Sequence, residues 1–509
     1  MIKTARKFLR LFWSLYGSIK QSIMENSDMI SLSRKYPILF GFLKNRLDKN
    51  HFFGRTFTYL LLIFVYLLFN FIGVIVGFLR SDIITFVDLR LLNLLEFFRN
   101  DQTVEFFLWI TVLGNYQVVF LFFLVGIAIL WLLNKYVYIL PLAVTIAGGS
   151  VCGFLLKFLF HRPRPELAVY VENSYSFPSG HATIAVALFG FFVYVIWREI
   201  KLWKIKIIIL ALGVILATLI GFSRLYLGVH YFSDVFGGHL LGGLWLLIGI
   251  GLAEYWSVFG RSQSYLFVRR PTKNKLMAVL ILIVALFGYV FLALNFEPIY
   301  LSASAPVTTQ TVSEVMNIFS TEQLRYSETL RGNRQEPIHF IILAKSDSHL
   351  ESVFKKAGWK TSEILNLKSA YKLAKTVIFK LPYDTAPITP SFWDAKTNDF
   401  GFQKPTSADN IRERHHARFW KTQYITEDEY ILYIGTSSFD QGIKWRQMTH
   451  YIAPDIDTER ELVWADLNNA QVIDNYSKIK MVAPVLGKNF TGDDFFTDGY
   501  SYIIKLKSP

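Results

Sequence analysis

Seven residues that could take part in chemistry stand between two long apolar runs. They read FPSGHAT and span positions 177–183, so a Pro-Ser-Gly turn leads directly into His181. An ionisable side chain at the edge of an apolar segment is costly and is usually functional. The stretch raises the question of which other polar residues the chain brings to the same place.

Two further polar stretches lie at the ends of apolar runs, KFLFHRPRP and SRLYLGVHYFSD. Their charged residues and histidines include Lys157, Arg162, Arg164, Arg224, His230 and Asp234. The cluster is basic, and it lacks the several oxygen ligands that Mg²⁺ or Ca²⁺ would need. We therefore expect no metal and no other cofactor. Guanidinium forks match phosphate oxygens, so the pattern indicates a pocket for a multiply charged oxyanion.

The two histidines can divide the work of phosphoryl transfer. His230 and Asp234 are four residues apart and would share a face of a helix. Asp234 could then accept the Nδ1 proton of His230 and leave Nε2 as a nucleophile. His181 lies on another segment and could protonate the leaving oxygen, then activate water. Ser179 and the amides of its turn would add neutral donors, and the predicted route passes through a phosphohistidine.

These motifs resemble the signature of the type 2 phosphatidic acid phosphatase superfamily, the lipid phosphate phosphatases. K-x(6)-R-P begins at Lys157, P-S-G-H at Pro178 and S-R-x(5)-H-x(3)-D at Ser223, all complete and in order. The resemblance covers roughly residues 56–256 and implies a six-span core with its pocket on the outer face. It implies phosphate binding by Lys157, Arg164, Ser179, Gly180 and Arg224, and catalysis by His181 as general acid, His230 as nucleophile and Asp234 as orienting partner.

Three polar residues near the motifs stand outside the signature. Arg162 is a weaker candidate for direct contact with phosphate, and His161 and His239 are expected to be structural. Vanadium haloperoxidases share the motifs but are soluble, so a membrane chain argues against that activity.

The rest of the sequence indicates how the motifs are positioned. Apolar segments long enough for a bilayer core of ~30 Å recur between Thr56 and Phe296 and nowhere later. The seven predicted spans are Thr56–Leu79, Tyr116–Leu133, Tyr136–Leu156, Ala182–Trp197, Ile205–Phe222, Val235–Ala253 and Leu276–Phe296. Residues 80–115 are predicted to form an interfacial helix and a loop. Residues 1–20 interleave basic and apolar residues, which favours an amphipathic helix on the inner leaflet over a signal peptide.

Charge orients the chain and excludes some partners. Residues 300–509 hold 25 basic and 25 acidic residues, so the net charge of +14 lies entirely in the first 299 residues. With the N-terminus inside, the inner segments hold 21 of the 28 basic residues of that part. This predicts a multi-pass membrane protein with the motifs and the C-terminal region on the outer side. Taken with the resemblance, it implies a bacterial inner membrane, with these regions on the periplasmic side. The basic excess is explained by topology, so nucleic acid is not expected as a partner. The single cysteine, Cys152, excludes an intrachain disulfide.

The C-terminal region reads as a mixed α/β domain. Residues 338–345 and 430–438 are predicted strands, and residues 346–359 a helix with Ser346 as N-cap. Residues 412–420, 435–443 and 450–461 resemble the LssY-type C-terminal domain found fused to such phosphatases, a resemblance that implies little chemistry. On residue types alone, a metal site could use His415, His416, His450, Asp455 and Asp457. Their spacing fits no standard pattern, and alternating strand residues on a polar surface are the preferred interpretation.

The predicted fold is an all-α membrane helical bundle, six spans plus one, followed by a soluble mixed α/β domain. The predicted regions are 1–55 (cytoplasmic), 56–256 (phosphatase), 257–299 (loop and seventh span) and 300–509 (extracytoplasmic). The expected activity is hydrolysis of a phosphomonoester or pyrophosphate on a phospholipid or polyprenyl phosphate in the bilayer. Undecaprenyl pyrophosphate, phosphatidylglycerophosphate and phosphatidic acid remain open as substrates. A phosphotransferase, or a membrane-anchored binding protein acting through an unidentified partner of the C-terminal domain, are the alternatives.

Overall fold

The structure is a computed structural model of the chain. It describes residues 14–509 apart from 16–17, 19–20, 23–24, 49–51, 82, 260–270, 302–308, 365, 380, 407–412, 445–448 and 490–491. Most of the predicted amphipathic helix over residues 1–20 lies outside the described residues.

The N-terminal part is helical. Its described helices are α1 (Ser27–Lys35), α2 (Pro37–Arg46), α3 (Arg55–Leu79), α4 (Ile83–Phe97), α5 (Asp101–Val112), α6 (Tyr116–Leu132), α7 (Ile139–Phe160), α8 (Gly180–Glu199), α9 (Trp203–Tyr226), α10 (Phe232–Phe259) and α11 (Pro271–Leu294). Among the described residues, six helices are long and apolar enough to cross a membrane, and the bent pair α5–α6 would make a seventh. The predicted all-α membrane bundle is confirmed.

The region before α6 differs from the prediction. A loop was expected after one interfacial helix, but a second helix, α5, forms there and meets α6 at an angle of 43°. The reason is local: the Asn100 side chain accepts from the backbone N–H of Thr103, whose hydroxyl accepts from the backbone N–H of Asn100. This reciprocal capping starts a helix where the polar residues suggested a loop.

The C-terminal part is rich in strands, as predicted. Its strands are β1 (Gln310–Thr311), β2 (Tyr326–Glu328), β3 (Arg334–Pro337), β4 (Phe340–Ala344), β5 (Lys360–Thr361), β6 (Phe392–Trp393), β7 (Lys396–Thr397), β8 (Phe400–Pro405), β9 (Arg414–Ile425), β10 (Ile431–Lys444), β11 (Thr449–Ile452), β12 (Ile473–Lys480), β13 (Val485–Lys488), β14 (Asp494–Thr497) and β15 (Tyr500–Leu506). Its helices are α12 (Asp347–Lys356), α13 (Leu367–Phe379) and α14 (Ile456–Asn469). The two predicted strands correspond to β4 and β10.

The main sheet runs in the order β12-β15-β4-β10-β9-β8-β5. β4 and β15 are parallel, whereas β10 pairs antiparallel with both β4 and β9. The helix α12 begins after Ser346, whose side chain accepts from the backbone N–H of His349, so the predicted N-cap is confirmed. Phe340, Phe354 and Phe419 are fully buried between this helix and the sheet.

The two parts are joined at one end of the helical bundle. In α4, Arg90 forms a buried ion pair with Glu328 of β2, with Nη2 and Oε2 2.6 Å apart. Asn93, one turn further along α4, donates to the carbonyl of Ala395. The loop before α8 also pairs with the chain after α11, since Val171 N–H donates to the carbonyl of Ile299. The C-terminal domain therefore packs at the end of the bundle that carries the α7–α8 loop.

Candidate active site

The three polar stretches meet in one pocket at that end of the bundle. Nη1 of Arg164 lies 3.2 Å from Nε2 of His230 and donates to the carbonyl of Val229. The backbone N–H of Ser179 donates to the carbonyl of Asp234 at 3.0 Å. Residues from the α7–α8 loop, the start of α8 and the start of α10 are thus brought together, as the sequence predicts.

Glycines in α10 allow the Pro-Ser-Gly turn to sit directly on that helix. A Cβ at Gly238 would lie 2.5 Å from the carbonyl oxygen of Ser179, and a Cβ at Gly237 would lie 2.6 Å from the ring of Phe177. Side chains at either position would push the turn away. The close approach fixes Ser179 and His181 relative to the residues of α10.

The contact between His230 and Asp234 is present but is not made along a helix. α10 begins only at Phe232, so His230 lies in the preceding loop, and its Nδ1 is 3.5 Å from Oδ2 of Asp234. A guanidinium can only donate, so the contact with Arg164 requires a lone pair on Nε2 of His230. The proton then lies on Nδ1, which faces Asp234.

Burial and neighbouring charges keep His230 neutral. Its side chain is 2 % exposed. Burial, together with the positive charges of Arg164, Arg224 and Lys157, lowers the pKa of His230 well below its ordinary value. A neutral imidazole with its lone pair on Nε2 is the form that a nucleophile requires.

Asn115 and Gly114 hold the ring of His181. Oδ1 of Asn115 lies 2.8 Å from Nε2 of His181, and an amide oxygen only accepts, so Nε2 carries a proton. A Cβ at Gly114 would lie 2.5 Å from Cδ2 of the same ring. Both residues come from the break between α5 and α6, where the sequence predicted a loop.

The guanidinium of Arg224 is fully buried and already balanced by a carboxylate. It donates to Thr111, to the Tyr170 hydroxyl and to Glu172. Glu172 also accepts from Nη2 of Arg164 at 3.2 Å. Burial acts to raise the pKa of Glu172, but Arg224 and Arg164 outweigh it and lower this pKa to about 2. The Glu172 carboxylate is therefore ionised and lies between Arg164 and Arg224, two of the predicted phosphate-binding residues.

Arg162 was considered as a contact for phosphate, but it forms ion pairs with two carboxylates instead. Its Nη1 lies 2.6 Å from Oδ1 of Asp234, and its Nη2 lies 2.8 Å from Oδ2 of Asp88 in α4. The positive charge of Arg162 is therefore balanced by these two carboxylates. Arg162 holds Asp234 in position beside His230.

Several polar atoms at the pocket have unused hydrogen-bonding capacity. Among the described residues, Ser179 Oγ, Arg224 Nε and His230 Nδ1 are buried without a hydrogen-bond partner. Lys157 Nζ donates to the carbonyl of Tyr175. A Cβ at Gly180 would meet nothing within 4 Å, so the backbone of the turn faces open space. His230 Nδ1 faces Asp234, but Ser179 Oγ and Arg224 Nε are buried donors of the kind that a site for an oxyanion should contain.

The other histidines near the motifs lie outside the pocket. His161 ends α7 in a left-handed conformation with φ 45°, which turns the chain into the loop. His239 Nε2 lies 3.1 Å from the carbonyl oxygen of Ala217, inside the bundle.

The five residues considered for a metal site are not assembled into one. His415 pairs with Glu459, Asp455 caps α14 and Asp457 pairs with Arg460. His416 and His450 approach a different carboxylate, that of Asp440. In the part of the chain that the structure describes, no group of three or more histidine, cysteine or acidic residues could hold a metal ion.

Sequence reasoning missed three residues of the pocket, Asp88, Asn115 and Glu172. Asp88 carried a signal, because it is an ionisable residue within an apolar stretch of α4 and is 2 % exposed. Glu172 and Asn115 lie in segments without periodic pattern, so only the fold brings them to the motifs.

The fold and the pocket define a multi-pass membrane protein with a basic site that holds two histidines at the ends of its spans. Residues 138–258 match the model of the PAP2 superfamily, and residues 320–500 match the model of the LssY C-terminus. The chain thus carries a PAP2 superfamily domain followed by an LssY C-terminal domain.

Curated relatives match the membrane part. Phosphatidylglycerophosphatase B of Bacillus subtilis is 38% identical over 102 residues, which are 20% of this chain and 50% of that protein. Undecaprenyl-diphosphatase BcrC of the same organism is 32% identical over 107 residues, again 20% of this chain and 50% of that protein. The chain spans about half of the length of these two relatives.

A solved structure is also similar. It is the crystal structure of a transmembrane PAP2 type phosphatidylglycerolphosphate phosphatase from Bacillus subtilis, 25% identical, covering 41% of this chain and 97% of that one with a TM-score of 0.33.

Proposed function

We propose that this protein is a lipid phosphate phosphatase that hydrolyses a phosphomonoester or pyrophosphate through a phosphohistidine at His230. The observation that carries the proposal is the contact of Arg164 with Nε2 of His230 at 3.2 Å, beside buried donors without partners. A phosphate held by Arg164 would lie next to the nucleophilic nitrogen. The names of the two relatives, a phosphatidylglycerophosphatase and an undecaprenyl-diphosphatase, support the hydrolysis of a lipid phosphate.

The phosphate would be bound by residues from all three motifs. Lys157, Arg164 and Arg224 supply positive charge, and Ser179 Oγ and the amide of Gly180 supply neutral donors. The incoming phosphate takes the place of Glu172 on at least one arginine. Charge-assisted hydrogen bonds of this kind are roughly twice as strong as neutral ones.

The reaction has two steps. Nε2 of His230 attacks phosphorus while the bond from phosphorus to the lipid oxygen breaks. His181, as the imidazolium, donates its Nε2 proton to that oxygen and becomes neutral. Water then attacks the phosphohistidine, His181 takes the proton of that water, and the P–N bond breaks to release phosphate and His230. Asp234, held by Arg162, stabilises the Nδ1–H tautomer of His230 throughout.

A substrate panel with trapping of the intermediate tests the proposal. Purified protein in detergent is given undecaprenyl pyrophosphate, phosphatidylglycerophosphate and phosphatidic acid, each with a labelled terminal phosphate. We expect phosphate release from at least one lipid, unaffected by EDTA, and an acid-labile phosphoryl label on His230 after rapid quenching. Phosphate release without such a label would remove the covalent route, and transfer to an added lipid acceptor instead of water would make the protein a phosphotransferase.

The positive-inside pattern supports a position of the pocket and the C-terminal domain on the outer side of the membrane, and impermeant thiol labelling tests this. Cys152 is first replaced by alanine, and single cysteines are placed at Asn173, Ser508 and Lys201. We expect labelling of the first two from outside intact spheroplasts, and none of Lys201→Cys. Labelling of Lys201→Cys alone would place the pocket in the cytoplasm.

A further inference from the structure

A second cluster of polar residues lies on one face of the C-terminal sheet. Strands β9 and β10 pair antiparallel in the rows Asp440–Arg414, Ser438–His416 and Thr436–Arg418. Alternate residues of a strand share a face, so these three rows lie side by side on the same face. Further along that face, Trp420 and Ile434 pair as part of an apolar core. The face therefore changes from apolar to polar within one pair of strands.

A cavity opens where the face becomes polar. It has a volume of about 580 Å³, and Arg418, His416, Ser438 and Asp440 line it. Leu94 of α4 also lines it, so the cavity lies where the C-terminal domain meets the membrane part. Pockets of roughly 300–1,000 Å³ commonly hold small molecules.

The contacts within the cluster follow a definite order. Ser438 Oγ lies 3.0 Å from Nε2 of His416, and Nδ1 of His416 lies 3.3 Å from Oδ1 of Asp440. Arg414 Nε donates to the other oxygen of Asp440 at 3.0 Å. Among the described residues Nδ1 of His416 makes no hydrogen bond, so it approaches Asp440 only at ion-pair distance. A hydroxyl beside one ring nitrogen and a carboxylate beside the other is the arrangement that can activate a serine nucleophile. Burial lowers the pKa of His416 to about 4, so the ring is neutral near pH 7.

We propose that Ser438, His416 and Asp440 form a second catalytic centre, which hydrolyses short-chain carboxylic esters in this cavity. A short acyl group is favoured because the residues around Ser438 are mainly polar. The proposal does not depend on the activity of the membrane pocket.

The reaction would follow acyl transfer to serine. Ser438 Oγ adds to the ester carbonyl carbon, and its proton passes to Nε2 of His416. The C–O bond to the alcohol breaks, and that alcohol leaves with the proton from His416. Water then adds to the acyl group on Ser438 in the same manner and releases the carboxylic acid.

Arg418 is placed to stabilise the negative charge of the intermediate. It is the diagonal neighbour of Ser438 on the shared face, at the ~7–8 Å backbone spacing that a long side chain can bridge. Its Nε donates to the carbonyl of Thr389, and the nearby carboxylates of Glu336 and Asp440 attract its guanidinium. Its terminal nitrogens could donate to the ester oxygen.

A fluorophosphonate probe, which modifies activated serines, tests the centre in the full-length protein. We expect the probe on Ser438, detected by peptide mass spectrometry, and loss of labelling in Ser438→Ala and His416→Gln. The matched control is Ser437→Ala on the opposite face, where Ser437 Oγ lies 3.2 Å from His339 Nδ1 and labelling should persist. His230→Ala should also be labelled, which separates this centre from the membrane pocket. Folded protein without label on Ser438, or with label that survives His416→Gln, would show that the cluster is only structural.

Turnover of p-nitrophenyl acetate provides a second measurement. Arg418→Met should lower kcat by about a hundredfold with little change in KM, as expected for loss of a donor to the oxyanion. Equal kcat in Arg418→Met and the parent protein would overturn the assignment of Arg418. Absence of any turnover that depends on Ser438 would overturn the proposed activity itself.

Discussion

The pocket at the ends of the spans and the cavity on the C-terminal sheet both hold a carboxylate that basic side chains approach, Glu172 in the first and Asp440 in the second. The difference is that the cavity also holds a serine in contact with a histidine. In the membrane pocket, Arg164 and Arg224 converge on one carboxylate, Glu172, and buried donors remain without partners among the described residues. In the cavity, Ser438, His416 and Asp440 contact one another in sequence. The first arrangement is suited to an anion that arrives from outside, whereas the second is suited to moving a proton within the protein.

The two regions also differ in what holds them. Helix ends and a loop carry the membrane pocket, so glycines such as Gly238 and ion pairs such as Arg162–Asp234 must fix its geometry. The cavity residues stand on paired strands, where the register alone sets their neighbours. Helix α4 touches both regions, since Asp88 contacts Arg162 and Leu94 lines the cavity.

The largest expected effect is that of His230→Ala, which should abolish the activity of the membrane pocket and leave that of the cavity unchanged. Removal of a nucleophile typically lowers kcat by roughly a thousandfold or more. We expect lipid phosphate release to be lost while the probe still modifies Ser438. His239→Ala, a histidine inside the bundle, is the matched control and should retain activity. Phosphate release by folded His230→Ala at the parental rate would contradict the proposed mechanism.

Breaking the ion pair between α4 and the C-terminal domain should cost stability. Arg90 and Glu328 have side chains only 6% and 2% exposed. Removing one partner of a buried pair leaves an uncompensated charge and costs about 3–5 kcal/mol. We expect Arg90→Met and Glu328→Gln each to lower the midpoint of thermal unfolding. The double variant Arg90→Met/Glu328→Met should be more stable than Arg90→Met alone.

The control for this pair is Lys135–Glu199, which is 38% and 47% exposed. An exposed pair contributes only about 0–1 kcal/mol, so Lys135→Met should shift the midpoint little. Equal shifts for Arg90→Met and Lys135→Met would show that α4 does not anchor the C-terminal domain.

Removing the carboxylate of Glu172 should make the membrane pocket more positively charged. Glu172→Gln leaves Arg164 and Arg224 without their carboxylate, so inorganic phosphate should inhibit about tenfold more tightly, as for the gain of one charge-assisted contact. Glu166→Gln in the same loop, at an exposed position, is the control and should leave inhibition unchanged. Weaker inhibition in Glu172→Gln would mean that Glu172 shapes the site without competing with phosphate.

The stability that Glu172 contributes should depend on pH in a defined direction. Its pKa is lowered from 4.5 to about 2 in the folded protein. A depressed carboxyl pKa stabilises the fold fully above pH 4.5, and this contribution is lost as the pH falls towards 2. The difference in unfolding midpoint between the parent and Glu172→Gln should therefore be constant near neutral pH and shrink below pH 4.5. A difference that does not change with pH would exclude an electrostatic origin.

The smallest effect is expected from removing the C-terminal domain. Ile299 and Leu301 pair with Val171 and Val169 of the loop that carries Glu172, so truncation after Leu301 keeps these backbone contacts. We expect hydrolysis of a soluble short-chain phosphate ester to stay largely intact, while turnover of the natural lipid falls. The measurement compares both substrates, with folding checked by size exclusion. Complete loss of short-chain hydrolysis in well-folded truncated protein would show that the domain contributes to the pocket.

The sequence by itself determined the features that depend on local pattern. Long apolar runs predicted the spans, and Ser346 before an amphipathic run predicted the start of α12. The three motifs at span ends predicted that Lys157, Arg164, Ser179, Arg224 and His230 would meet, because span ends on one side of a bilayer share a surface. All of these inferences depend on residues close together in the chain or on the constraint of the membrane.

The tertiary structure alone decided which charges balance which. Arg162 could not be assigned from sequence, because its partners Asp88 and Asp234 come from two other helices. Glu172 and Asn115 carry no periodic pattern and reach the pocket only through the path of the loop and the break between α5 and α6. The contacts of His416 with Ser438 and Asp440 could not be predicted, since they are set by strand register, which a sequence pattern does not fix between distant segments. Ion pairs and hydrogen bonds depend on distances of a few ångströms, and only packing determines those.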